Sequence, residues 1–374
     1  VTPRTSPADG ASDPLLGATF GGHYRIDSRL GAGSIGVVYR ARHTLFDRDF
    51  AVKVIASDLA DDPEIRRRFV VEAKSLVAIE HPGVVRVRHF FEENGRLLLV
   101  MDLCEGESLA LVLAREGRLD ERGAASIAVQ VLEALDAVHW DGIVHRDLKP
   151  ANIMICRDAD ARDVAGAGRA KILDFGLARI VGDRNAAHAE TLPSTLGGVV
   201  GTVSYMSPEQ IRAVDDVDLR SDLFAVGIIL YEMLSGRSPF EGETPLAAAL
   251  AIVETPPAPL PGSGPNGVSP ALAAVVFRAL AKDRDARFQT AAEFADAVRG
   301  ALDGRAPPPF VRAPARVPAV RRRFLYAAAA TGVLVVATSL LAGDAPRRRE
   351  GDRATRDAHA SASMRLSQAR ASLD

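Results

Sequence analysis

The sequence predicts an α+β protein of two unequal lobes. Two observations carry that prediction: residues 24–100 read as short β-like runs broken by one helix, and the residues after Glu105 read almost wholly as helices. With 374 residues the chain exceeds one ordinary core and suffices for two lobes with appendages. A hydrophobic share of 47% and a charged share of 25% belong to a folded chain, not a disordered one.

The opening residues 1–22, rich in Pro, Ser, Asp and Gly, read as a disordered leader and contain no apolar run of secretory-signal length. Strand-like runs follow at residues 36–42, 50–55, 84–91 and 96–101. The helix between them can be capped by Asp62 and started by Pro63, with Ile65, Phe69, Ala73, Leu76 and Ile79 at helical spacing. The small lobe is drawn at residues 23–101, a hinge at 102–106 and the larger lobe at 107–302.

In the larger lobe, residues 119–140 place Ala128, Val131, Leu132, Leu135 and Val138 on one face behind an Asp120 cap. Residues 223–234 are apolar nearly all round, which predicts a helix buried on every side. Further helices are expected over 245–253, 269–281 and 291–302. A Pro- and Arg-rich linker then occupies residues 303–320. Residues 324–342 carry no charge and lie between two runs of three arginines. As a helix they would span roughly 28 Å, so one transmembrane helix is expected there. A polar tail fills 343–374, and the arginines on either side balance too closely to orient the span.

A net charge of −2 gives no reason to expect nucleic acid as a partner. The two cysteines, Cys104 and Cys156, form no C-x-x-C pair and sit in apolar runs, so they read as small buried hydrophobes in a reducing interior.

The chemistry is read from four patterns in order. Gly31, Gly33 and Gly36 form G-x-G-x-x-G, which dinucleotide-binding folds also use; here strand continues after the glycines where such folds need a helix. The glycines therefore read as a hairpin tip over phosphates, or as a merely structural hairpin. Next, Lys53 stands in the apolar run Phe50-Ala51-Val52-Lys53-Val54-Ile55, and a buried ammonium needs a partner. Nucleotide phosphates would serve, with Glu72 of the neighbouring helix a better holding carboxylate than Glu64 at its start. Third, in His145-Arg146-Asp147-Leu148-Lys149-Pro150-Ala151-Asn152, Asp147 can accept a substrate proton, Lys149 can offset phosphoryl charge and Asn152 can ligate a metal. Last, Asp174-Phe175-Gly176 follows a short strand and offers a carboxylate to magnesium.

With these motifs in this order, residues 24–302 resemble the protein kinase superfamily, in particular the eukaryotic-like Ser/Thr kinases of bacteria. The resemblance implies a two-lobed fold with ATP in the cleft, in contact with Leu30, Gly31, Gly33, Gly36, Val38, Ala51 and Lys53. Adenine would lie against the hinge at Asp102 and Cys104, with Met101 guarding the back of the pocket. It implies a Lys53–Glu72 ion pair, Asp147 as catalytic base, Lys149 beside it, and Asn152 and Asp174 as ligands of Mg2+, or of Mn2+ in its place. Lys149 marks the Ser/Thr form of the loop. Ser207-Pro208-Glu209 replaces the commoner Ala-Pro-Glu, and Glu209 would pair with Arg287. Asp222 would anchor the catalytic-loop backbone, Thr202 would contact Asp147 and Lys149, and Leu76, His145 and Phe175 would stack in a hydrophobic spine.

Arg146 could receive a phosphate in the following loop, where Thr191 and Thr195 are the candidate autophosphorylation sites. Residues 157–170 read as an insertion that lengthens a surface hairpin. The expected function is a Ser/Thr protein kinase acting on protein substrates, held at the inner membrane by one span with its kinase domain cytoplasmic. A catalytically weak pseudokinase scaffold is the alternative, disfavoured because Lys53, Asp147, Asn152 and Asp174 are all present. Ala328 and Gly332 make a small-xxx-small pair that allows a homodimer.

Overall fold

The computed structural model describes residues 13–33, 36–56, 62–156, 168–175, 203–212, 216–262 and 267–305. Its small lobe is a six-stranded antiparallel sheet in the order β1-β2-β3-β4-β6-β5. The strands are β1 (Thr19–Phe20), β2 (Tyr24–Gly33), β3 (Gly36–His43), β4 (Arg48–Ile55), β5 (Val87–Glu93) and β6 (Arg96–Asp102). Helix α1 (Pro63–Val77) packs on one face through Phe69, Ala73 and Leu76, spaced four and three residues apart.

The two-residue period of a strand explains how the sheet sorts its side chains. Phe50, Val52 and Val54 of β4 join Leu98 and Val100 of β6 in an outer cluster with Tyr24 and Ile26. The intervening Ala51 and Ile55, with Leu97, Leu99 and Met101, join the main core under α1. Lys53 lies on the same face as Ala51 and Ile55, so strand geometry alone directs it inward.

The larger lobe follows through β7 (Gly106–Ser108), α2 (Leu109–Glu116), α3 (Glu121–Trp140), β8 (Ile153–Cys156) and β9 (Arg169–Ile172). It continues with α4 (Pro208–Ile211), α5 (Arg220–Ser235), α6 (Pro245–Glu254), α7 (Pro270–Ala279) and α8 (Ala291–Leu302). Side chains close the helix starts: Asp120 accepts from Gly123 N at 3.1 Å, Thr244 from Ala247 N at 3.1 Å and Ser269 from Leu272 N at 3.3 Å. Helix α5 is the axis of the lobe, buried almost throughout and packed between α3 and α7.

Several boundaries differ from the sequence reading. The leader was expected to be disordered as far as residue 22, yet Leu15 and Ala18 pack on the outer cluster and Phe20 is buried in it. Tyr39 Oη donates to Asp13 Oδ2 at 2.9 Å, so an apparently polar segment is held by three apolar side chains and one carboxylate. The expected strand at 84–91 begins at Val87, because Val84 instead bridges to Ile172 of β9. Helix α2 is additional: at eight residues, it is shorter than the periodicity that reveals a helix in sequence. The β8–β9 hairpin stands where an extended hairpin was expected, and residues 157–167 lie outside the described residues. So do the proline-rich linker from residue 306, the apolar segment 324–342 and the tail.

Candidate active site

The cleft between the lobes is built on strand pairing. Gly31 stands opposite Val38 and Gly33 opposite Gly36, so the three glycines frame one hairpin end. They are not equivalent. A Cβ on Gly36 would sit 2.1 Å from the Val54 carbonyl oxygen, so only glycine lets β3 approach β4 there. Gly31 and Gly33 face open space, which leaves their backbone accessible to a ligand.

One pair over in the sheet, Ala51 faces Met101 and Lys53 faces Leu99. Lys53 is 4% exposed, and its Nζ lies 2.9 Å from Asp174 Oδ1. This ion pair joins the small-lobe sheet to the segment after β9, with a buried ammonium satisfied by a half-buried carboxylate. The partner expected for Lys53 was Glu72; its side chain lies outside the described residues, and the carboxylate shown on Lys53 is that of Asp174.

The catalytic loop hangs on Asp222 of α5. Its Oδ2 accepts from His145 N at 2.8 Å and its Oδ1 from Arg146 N at 2.8 Å, while His139 Nε2 lies 2.9 Å from Oδ2. Burial pushes the Asp222 carboxyl up, but the hydrogen bond and charge of His139 and the loop N–H groups outweigh it and hold it below the usual range. His145, fully buried, fixes the loop from the other side. Its Nε2 meets the Leu173 carbonyl at 2.8 Å and its Nδ1 accepts from Asp147 N at 3.2 Å. A carbonyl can only accept and an amide N–H only donate, so the proton is on Nε2. His145 also packs on Phe175, ring centroids 4.7 Å apart, and Leu76 and Phe175 wall the same apolar pocket behind Met101. Two members of the expected spine, His145 and Phe175, are thus in contact, and the third, Leu76, lines the same pocket as Phe175.

Around Asp147 the candidate catalytic groups converge. Lys149 Nζ lies 3.1 and 2.9 Å from its two carboxylate oxygens. Asn152 Nδ2 donates to the Asp147 carbonyl at 2.8 Å and to Oδ2 at 3.3 Å, so the amide oxygen is the atom left to meet a cation. Leu173 N donates to the Asn152 carbonyl at 2.8 Å, tying the loop to the approach to Asp174. Arg146 and Asp174 both take the left-handed backbone region, at φ 66° and 56°, and two such non-glycine residues in one site are the strain expected of a functional loop.

The site also contains contacts that sequence reasoning missed. Gln210 Nε2 donates to the Arg146 carbonyl at 2.8 Å, and Arg146 Nη2 reaches the Val217 carbonyl at 3.3 Å. Arg88 takes both oxygens of Asp102, at 2.8 and 2.7 Å, so the Asp102 side chain fastens the hinge to β5 and leaves only its backbone for a ligand. No local signal marks these residues; each is paired with a position far along the chain. Thr191, Thr195 and Thr202 lie outside the described residues.

A buried lysine beside an acidic residue, an aspartate with a lysine and an amide on it, and glycines at the end of the neighbouring hairpin are the kinds of group that phosphoryl transfer calls for, here in a two-lobed fold. The comparisons agree. The sequence profile of the protein kinase domain matches residues 24–296, and the chain belongs to the protein kinase family.

Among its relatives, the serine/threonine-protein kinase PknB of Mycolicibacterium smegmatis is 40% identical over 289 residues, covering 76% of this chain and 44% of that protein. PknB of Mycobacterium tuberculosis is 39% identical over 281 residues, covering 74% and 42%. The chain thus spans less than half the length of these relatives. The crystal structure of the Mycobacterium tuberculosis PknI kinase domain superposes with a TM-score of 0.53 at 28% identity, covering 76% of this chain and 97% of that one.

Proposed function

We propose that this chain is a membrane-tethered serine/threonine protein kinase that moves the γ-phosphoryl group of ATP onto protein hydroxyls and phosphorylates its own activation loop. The observation that carries the reading is the convergence of Lys149 and Asn152 on Asp147, with Lys53 on Asp174. Asp147 accepts the hydroxyl proton and aims the attacking oxygen, while Lys149 offsets charge on the transferring group. Lys53, buried in an apolar strand, exchanges the Asp174 carboxylate for phosphate oxygens. The donor set suits magnesium: Asp174 and the Asn152 amide are hard oxygen ligands, and the ion would neutralise charge on the phosphates. Adenine would lie against the hinge backbone from Asp102 to Cys104, with Leu30, Val38 and Ala51 around it.

The test is transfer from γ-labelled ATP with magnesium, the full chain beside its Asp147→Ala variant. Positioned base catalysis is worth about 10²–10⁴-fold, so the variant should lose that much. Equal rates would defeat the base assignment; nucleotide binding without transfer in either protein would favour a pseudokinase. Phosphopeptide mapping of the parent tests Thr191 and Thr195, with Arg146 as the proposed receiver of the new charge.

The tether rests on the uncharged segment 324–342 between arginine runs. Among the described residues no helix is long and apolar enough to cross a membrane. Since ATP is cytoplasmic, the kinase lobes are placed inside and the tail outside. Protease added to intact cells should spare the kinase domain; digestion of it would reverse the topology. Ala328 and Gly332 offer a dimer face, and a monomer in detergent would count against it.

A further inference from the structure

Strand β5 carries an irregularity, and it lies beside the hinge. Val87 faces Met101 of β6, but the next paired residue is His89, which faces Val100. Arg88 is therefore the extra residue of a β-bulge, where two residues of one strand oppose one of the other. Such a residue stands outside the regular ladder, and its side chain can be aimed where an even strand would not send it. Here it is aimed along β6 at Asp102, the last residue of that strand and the point where the hinge begins.

Asp102 is gripped twice by β5. Its N–H donates to the Arg86 carbonyl at 3.0 Å, and its two carboxylate oxygens accept from Arg88 Nε at 2.8 Å and Nη2 at 2.7 Å. From β4, Arg48 Nη2 stands 3.5 Å from Oδ1, its guanidinium 5.4 Å from the Phe50 ring centroid. A two-pronged arginine–carboxylate contact fixes direction as well as distance, which a lysine cannot do. Yet the Arg88 and Asp102 side chains remain 31% and 25% exposed, and ion pairs in contact with solvent add little to the stability of a fold. A bulge and a planar fork that stabilise so little are better explained as placement of the hinge backbone.

We propose that Arg88 is a positioning residue for the nucleotide: by clamping the Asp102 carboxylate to β5 it sets where the hinge backbone meets the base, and with that the affinity and the preference for adenine over guanine. This rests on the reading of the backbone from Asp102 to Cys104 as the adenine contact. The two bases differ in kind at that edge, since adenine offers an amino donor where guanine offers a carbonyl acceptor. A backbone acceptor held in one place suits the first and opposes the second, and one free to shift discriminates less. Arg88 pairs with the hinge and not with the groups around Asp147, so its loss acts on binding and spares transfer.

The test uses the full chain in detergent. Kd for a fluorescent ATP analogue, kcat and KM for ATP and for GTP, and the melting temperature are measured on the parent and on variants. Arg88→Met keeps an unbranched side chain and removes the fork. We expect binding weakened about tenfold, as for a small displacement at a site, with KM raised in step and kcat within about twofold of the parent. The preference for ATP over GTP should shrink, and the melting temperature should stay where it was. Arg88→Lys, with the charge but no fork, should fall between the two. Asp102→Asn should weaken binding alike, and joined to Arg88→Met it should add nothing, because both remove one clamp. Unchanged affinity, a fall in kcat without a rise in KM, or additive losses in the double variant would each overturn the proposal. So would a melting temperature that falls in step with affinity, since the pair would then be a structural prop. A parent that binds no nucleotide would sink the hinge reading and the clamp with it, whereas a parent that binds and an Arg88→Met variant equal to it would sink the clamp alone.

Discussion

Arg287 is fully buried, and both ends of its guanidinium meet both oxygens of Glu209, Nη1 to Oε1 at 2.8 Å and Nη2 to Oε2 at 2.9 Å. Its remaining N–H groups go to the carbonyls of Ala281 at 2.7 Å, Arg220 at 3.2 Å and Lys282 at 3.1 Å, and its guanidinium lies 4.6 Å from the Phe224 ring centroid. All five donors of the side chain are therefore used. The bridge fixes the segment after the activation loop to the end of the large lobe.

Glu209→Gln should cost about 3–5 kcal/mol, because it leaves a buried guanidinium without its counter-charge. The pH dependence has a definite sign. Burial pushes the Glu209 carboxyl up, but the Arg287 hydrogen bonds and charge prevail and hold it at about 2, below its ordinary 4.5. A depressed carboxyl stabilises the fold above its unfolded value and loses that contribution as pH falls from about 4.5 toward 2. Urea melts at pH 7 and pH 3 should show the gap between parent and variant narrowing in acid; an undiminished gap would disprove the charge account.

Asp222→Asn should separate fold from catalysis. An amide keeps one acceptor oxygen but turns an NH₂ toward donors that the carboxylate satisfied. The catalytic loop then shifts, and a displacement of that kind can cost about 100-fold in kcat. The KM for ATP should move little, since Asp222 lies under the loop and away from the hinge. A variant with unaltered kcat would remove Asp222 from its anchoring role.

Lys53→Met should abolish most phosphoryl transfer while leaving thermal stability equal or higher. The side chain is buried between apolar neighbours, and the partner left behind, Asp174, is 29% exposed and can take up water, so removing the buried charge costs far less here than at a fully buried pair. A lowered melting temperature would mean that the Lys53–Asp174 pair holds the lobes together and does not merely await phosphate.

The glycines should divide by neighbourhood. Gly36→Ala drives a methyl into the Val54 carbonyl and should destabilise by about 1–3 kcal/mol, as overpacking does. Gly31→Ala meets open space and should leave the melting temperature of the free protein unchanged. Equal losses in thermal melts would refute this division.

How far these features can be read from sequence depends on how local their signals are. Lys53, Asp147, Asn152 and Asp174 stand in short motifs whose residue types state their chemistry, and the apolar all-round pattern of α5 announces its burial. Glu209–Arg287 and Asp222 came through likeness to a family, since no spacing rule joins residues so far apart. Gln210 and Arg88 were invisible for the same reason without a family pattern to supply them. The leader misled in the opposite direction: the polar composition of residues 1–22 hid three apolar anchors, Leu15, Ala18 and Phe20, that only the folded sheet gives a place to land.

The anchoring of the catalytic loop sets an order on protein synthesis. The loop is translated first, yet the carboxylate that shapes it arrives 77 residues after His145, and Arg287 arrives 78 residues after Glu209. A ribosome-bound chain that has exposed every reacting side chain still lacks the parts that hold them in register. The prediction is that nascent chains arrested before Arg287 transfer no phosphate and that those released beyond residue 302 do; activity in the shorter set would contradict it. On that order of residues, an unfinished chain would be unable to phosphorylate prematurely.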